Sequence, residues 1–174
     1  MKLSQKQVGV AGGMAAAAGF SALVLAGSKF LHPVVVPVAA GFAERLQYVL
    51  RADLLVFAWL LASIANVARA RFLSPTDIDG SGLTGSGPKM SIDVAVLQNT
   101  LEQVVLAVGA HIGLAAAGPE EVTWIPALTL LFCVGRAAFW IGYKGGAAHR
   151  AFGFATTFYP TIFGYCVALS AIAR

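Results

Sequence analysis

Five long apolar runs, separated by short polar or Gly/Pro-rich links, organise this chain. They extend from about Val8 to Phe30, Leu46 to Phe72, Ile92 to Ala117, Val122 to Tyr143 and Phe152 to Ile172. Each is long enough for a helix to cross the roughly 30 Å hydrocarbon core of a bilayer, which takes about 20 residues. The pattern therefore predicts an all-α integral membrane protein. In the first run Gly9, Gly13 and Ala17 recur every fourth residue, a ridge of small side chains that lets membrane helices approach closely. Lys2 and Lys6 before that run, with Val24-Leu25-Ala26 after it, also fit a signal peptide. The run is longer than a typical signal core, so a retained helix is the preferred reading. His32 to Gly41, with Pro33 and Pro37, is expected to be an irregular or interfacial link. Pro160 is expected to kink the last helix.

Composition strengthens this picture. The 174 residues are 58% hydrophobic and 11% charged, whereas soluble domains carry about 25% charged residues. The net charge of +4 reads as topology bias. No basic patch interleaves with exposed aromatics, so nucleic acid is not an expected partner. Cys133 and Cys166 lie in apolar runs without metal-ligand spacing and read as packing residues. Gly80-Ser-Gly82-Leu-Thr-Gly85 fits a dinucleotide-binding pattern, but no strand precedes it and Pro88 follows, so that reading is rejected. Asp77 and Asp79 lack the other ligands of a calcium loop. No metal site is expected.

Positive charge orients the spans. An inside N-terminus and five crossings place Arg69, Arg71, Lys89, Lys144 and Arg150 on the cytoplasmic side and the Glu120-Glu121 turn outside, although Lys29, Arg45 and Arg51 also fall outside. The inner end of the second span, the start of the third and the end of the fourth then meet at one face.

Two ionisable clusters lie near that face. Asn99-Thr100-Leu101-Glu102 opens the third span, and Arg136-Ala-Ala-Phe139-Trp140-Ile-Gly142-Tyr143 closes the fourth, followed by His149-Arg150. A charge in the bilayer costs about 2.5–3.5 kcal/mol on insertion scales, so the cluster residues need either a partner or a task. Asn99 and Glu102, three apart, are expected on one helix face. Arg136, Phe139 and Tyr143 form another stripe, with Arg150 drifting modestly from it if the helix continues. Two arrangements are open on these grounds. Glu102 and Arg136 form a buried ion pair with Asn99 as interhelical glue, or the two faces line a wet pocket for a small zwitterion, arginines taking carboxylates and Glu102 an ammonium. Asp53 reads as a group near the end of its span, and His111, on the face opposite Glu102, as a packed histidine.

These residues resemble the MAPEG family, the membrane-associated proteins of eicosanoid and glutathione metabolism, in its bacterial-type, microsomal glutathione transferase-like form. The resemblance covers about Leu50 to Arg174 and is carried by Leu97-Gln-Asn99-Thr-Leu-Glu102-Gln103 and by Arg136 to Arg150, with its Arg-x-x-aromatic-x-x-Gly-Tyr spacing. It implies a four-helix membrane bundle over 50–174, with 1–49 as an additional transmembrane helix and link, assembled as a homotrimer that binds glutathione between subunits. Carried over by position, Asn99, Glu102, Arg136 and Tyr143 are implied glutathione contacts, and Arg150 is the implied catalytic arginine that stabilises the thiolate. Arg69 loosely matches an arginine pair ending the family's first helix. Ala95, Gln103 and Phe139 depart from the family's Arg, Tyr and Tyr. The implied function is a glutathione transferase or peroxidase acting on a lipophilic substrate, with glutathione as cosubstrate, in the bilayer of a bacterial inner membrane and with a cytoplasmic N-terminus. The alternatives are a non-catalytic lipid-binding or scaffold protein of the same fold, and a small transporter. The sequence shows neither an inverted repeat nor paired broken helices to support the last.

Overall fold

The computed structural model describes residues 3–35, 41–80 and 87–174. Its long helices are α1 (Gln5–Val35), α2 (Phe42–Phe72), α3 (Pro88–Ala117), α4 (Ile125–Gly142) and α5 (Ala147–Ile172), and no strand occurs among the described residues. A 3₁₀ turn, Glu121–Trp124, leads into α4. All five are long and apolar enough to cross a membrane, the fourth span counted from Glu121 to Gly145.

The helices start and stop where their sequences supply ends. Gly87 caps α3 with an extended backbone and Pro88 takes the first helical position, where its missing N–H costs nothing. Glu44 reaches back to the Gly41 amide at 2.7 Å at the start of α2. Gly146 turns the chain from α4 into α5 at φ +90°, a conformation glycine adopts without the Cβ clash other residues meet. The first part of the expected His32 to Gly41 link is helical: α1 runs through Pro33 to Val35. In an apolar setting, losing one helical hydrogen bond costs less than exposing several backbone groups. Residues 36–40, including Pro37, and the Ser81–Ser86 part of the glycine-rich loop lie outside the described residues. α5 continues through the buried Pro160 as one helix.

α2, α3, α5 and α4 pack as a ring, each touching the next, and α1 lies outside it against α5. The expected small-residue ridge makes that last contact. A Cβ on Gly9 would come within 2.9 Å of Ala148, one on Gly13 within 3.2 Å of the Phe152 amide, and Ala17 is fully buried. The core has two layers. Val49, Leu114, Ile125 and Leu128 fill one end, and Val56, Val104, Ala107 and Phe132 fill the middle.

The tightest pairing is the α4–α5 hairpin. A Cβ on Gly153 would sit 2.6 Å from the Cα of Phe139, against backbone that cannot yield. Gly153→Ala is expected to push the two helices apart and cost about 3 kcal/mol, the upper end for overpacking. Thermal or SDS unfolding of the purified variant measures it, and an unchanged transition would show that the hairpin has slack.

The two ends of the bundle differ as the charge pattern predicts. Arg69, Lys89, Asp93, Trp140 and Lys144 gather at one end. Lys29, Glu120, Glu121, Trp124 and Arg174 gather at the other.

Candidate functional site

The site begins at Arg136, whose side chain is 1% exposed inside the α3–α4–α5 packing. Its Nη1 donates to Asn99 Oδ1 at 3.0 Å and its Nε to Thr157 Oγ1 at 3.3 Å. Thr157 in turn donates to the Gly153 carbonyl at 3.0 Å. The guanidinium lies 4.3 Å over the Phe139 ring. Hydrogen bonds to a charged group are each worth about 1.5–3 kcal/mol, and a cation over a desolvated ring adds to them. These contacts offset much of the cost of burying the charge, though Nη2 remains buried without a partner. The side chain can lie so deep because Gly135 and Gly153 bring α4 and α5 together: a Cβ at either would collide with the opposing helix.

From Arg136 a ladder of alternating charge and ring leads to the end of the bundle. Phe139 meets Tyr143 edge-on at 5.3 Å, and the Arg150 guanidinium lies 4.4 Å over the Tyr143 ring. From the sequence Arg150 joins the Arg136 stripe only if the fourth helix continues past Tyr143. In the structure the chain turns at Tyr143–Gly146, and Arg150 returns to Tyr143 from the first turn of α5.

Glu102 is placed differently from expectation. It lies about 60° around α3 from Asn99, close enough to border the same face, but the two side chains turn to different surroundings. Asn99 turns inward to Arg136, while Glu102 is exposed on the outside of α3 and accepts from Gln98 Nε2 at 3.0 Å. The Glu102–Arg136 ion pair, one of the two arrangements left open by the sequence, does not form. Glu102 lies midway along α3, about 20 Å from either helix end at 1.5 Å per residue.

Arg69 stands apart from this group. It is exposed, bonds Asn66 at 3.4 Å, and lines a cleft of about 610 Å³ with Asp77, Lys89, Asp93, Trp140 and Lys144. Trp140 lies about 100° around α4 from Phe139, so the cleft and the ladder occupy different sides of that helix. The three departures from the family pattern are also placed. Ala95 is half-buried, Gln103 is buried with Oε1 unpartnered, and Phe139 is the ring beneath Arg136.

Sequence reasoning missed two features. Thr157, the second anchor of Arg136, lies in an apolar run where Thr156-Thr157 was the available signal. Asp53 is fully buried on α2, with Oδ1 2.5 Å from His111 Nδ1 on α3. Asp53 and His111 are both ionisable groups within apolar spans, and that pattern points to a mutual partner.

A family model, the MAPEG family, matches residues 49–170. No curated protein and no solved structure matches the chain.

Proposed function

The chain belongs to the MAPEG family, and from that premise we propose that it is a membrane-embedded glutathione transferase or peroxidase for lipophilic electrophiles, working as a homotrimer with glutathione bound between subunits. The observation that carries this reading is Glu102. A carboxylate exposed halfway along a membrane-spanning helix costs about 2.5–3.5 kcal/mol against lipid. A neighbouring copy covering that face removes the cost, and a ligand ammonium between the copies gives the carboxylate a partner. Asn99 supports the same pocket. Its Oδ1 is taken by Arg136, so its NH2 group turns away from the guanidinium as a free donor.

Glutathione chemistry needs the thiolate, and a free cysteine thiol has a pKa of about 8.5. A guanidinium beside the sulfur favours the charged form. Arg150 at the end of the ladder, half-buried over Tyr143, is the residue we assign to that task. The thiol proton leaves to solvent, sulfur attacks the electrophilic carbon, a C–S bond forms, and the leaving group departs with the displaced electron pair. The protein need supply no nucleophile of its own. Arg69, Arg71, Lys89, Lys144 and Arg150 lie towards one end of the helices, which by the positive-inside rule is the cytoplasmic end. We accordingly place the protein in a bacterial inner membrane with the N-terminus cytoplasmic. Glutathione then enters from the cytoplasm and the apolar substrate sideways from the bilayer.

Glutathione added to detergent-purified protein is expected to raise its Tm with dose, by the equivalent of about 2.7 kcal/mol at a hundred times Kd. Glu102→Gln is expected to remove the shift. Arg150→Ala is expected to keep it but to abolish conjugation of a chlorinated nitroaromatic. Binding without turnover in the unmodified protein would instead support the non-catalytic, lipid-binding reading. Absence of both would overturn the glutathione reading.

A further inference from the structure

At the end of the bundle remote from Arg150, a cleft of about 770 Å³ opens between α1, the 3₁₀ turn and the end of α5. Its floor is apolar, with Trp124 and Phe163 in an edge-to-face pair at 4.9 Å. Its rim carries both signs of charge. Lys29 holds its ammonium 5.0 Å over the Trp124 ring, and neither Lys29 nor Glu120 has an ion-pair partner among the described residues. Glu121 is paired only with Arg174, at a loose 3.4 Å, and Arg174 is 73% exposed. Lys29 and Glu120 share the cleft without closing on one another, and the Glu121–Arg174 contact is long and exposed at the arginine, so both signs of charge stay open to a ligand that carries both.

We infer that this cleft binds the headgroup of a zwitterionic phospholipid with a primary amine, a phosphatidylethanolamine. The phosphate falls to Lys29 and Arg174 and the ammonium to Glu120 and Glu121, whose oxygens accept N–H bonds that a quaternary amine cannot donate. Trp124 and Phe163 receive the glycerol and upper acyl region, as aromatic rings do at the membrane interface. A lipid fits better than a soluble zwitterion because the cleft lies at the ends of two membrane-crossing helices with an aromatic floor facing their apolar flanks. Lys29 and Arg174 both lie outside the family-matched residues 49–170. The two cations are thus set from outside the matched region against Glu120, Glu121, Trp124 and Phe163 within it, at the end of the bundle remote from the proposed glutathione pocket.

Melting curves of the full-length protein in detergent test this. Phosphatidylethanolamine is expected to raise the Tm more than phosphatidylcholine or phosphatidylglycerol of the same acyl chains. Lys29→Gln and Glu120→Gln, both at exposed positions, are each expected to weaken the phosphatidylethanolamine response by about tenfold in concentration, the loss of one charge-assisted hydrogen bond. The response to the other two lipids should not change in Glu120→Gln, because neither carries the ammonium N–H donors that Glu120 accepts. Equal stabilisation by all three lipids would overturn the inference as simple annular lipid. A full effect from soluble glycerophosphoethanolamine would overturn the lipid assignment. The comparison among lipids on the unmodified protein needs no variant, so it stands even if a substitution harms folding.

Discussion

His111→Leu is expected to destabilise the bundle by about 3–5 kcal/mol, the cost of removing one partner from a buried ion pair. Asp53 is 0% exposed and its Oδ2 already has no partner, so the carboxylate left behind has nothing to replace the imidazole. The pair joins α2 to α3, the two helices that bring Arg69 and Asn99 to their places. Asp53→Leu should cost a similar amount. The double variant Asp53→Leu/His111→Leu should recover most of the loss, because two well-packed apolar side chains replace a buried pair at little or no net cost. Reversible unfolding in mixed micelles of the two single variants and the double variant completes the cycle. The size of the single-variant loss also decides the nature of the contact. Neutral interhelical hydrogen bonds in membrane proteins average only about 0.6 kcal/mol. A loss near that value would mean that the two groups meet as a neutral hydrogen bond and not as an ion pair.

Arg136→Met is expected to raise the KM for glutathione by 10- to 100-fold while shifting the Tm by only a few degrees. The affinity loss corresponds to about 1.5–3 kcal/mol, the worth of a hydrogen bond involving a charged group. Arg136 is 1% exposed and would reach the proposed glutathione pocket only through Asn99, so its side chain is a positioning group in that proposal. Without it the Asn99 amide is free to rotate, and its NH2 group no longer stands as a fixed donor. The small stability effect follows because methionine replaces a buried cation with an apolar side chain of similar length, which removes a desolvation cost. Arg136→Lys should fail as completely as Arg136→Met. One ammonium cannot span the fork that joins Thr157 Oγ1 and Asn99 Oδ1. Steady-state kinetics over a glutathione series, set beside thermal melts of both variants, separates these outcomes. A glutathione response that survives in Arg136→Met would show that Asn99 holds its position unaided.

Much of the architecture was legible before any coordinates. Five apolar runs of bilayer length gave five helices, because in a medium without water the backbone must satisfy its own hydrogen bonds. The Gly9-Gly13-Ala17 ridge marked the face of α1 that packs closely, and the structure gave it α5 as its partner. Alternation of crossings brought Asn99 to Arg136, whereas the contact of Arg150 with Tyr143 came from the turn at Tyr143–Gly146. The resemblance to MAPEG proteins rested on the same short motifs and is matched by the family model over residues 49–170.

What sequence alone determined is therefore the number of spans, their alternation, the end at which Arg69, Lys89, Lys144 and the Glu120-Glu121 turn lie, and the family. The tertiary structure decided the rotation of each helix about its axis. It turned Glu102 outward while Asn99 went in, gave Arg69 a separate cleft, and joined Asp53 to His111 in the core. The physical reason lies in the surroundings. A soluble helix displays its buried face as an apolar stripe against a polar one, but a helix in lipid is apolar all round. Its pattern reports where it crosses and not which side it turns to its neighbours, and close packing through Gly135, Gly142 and Gly153 makes that choice.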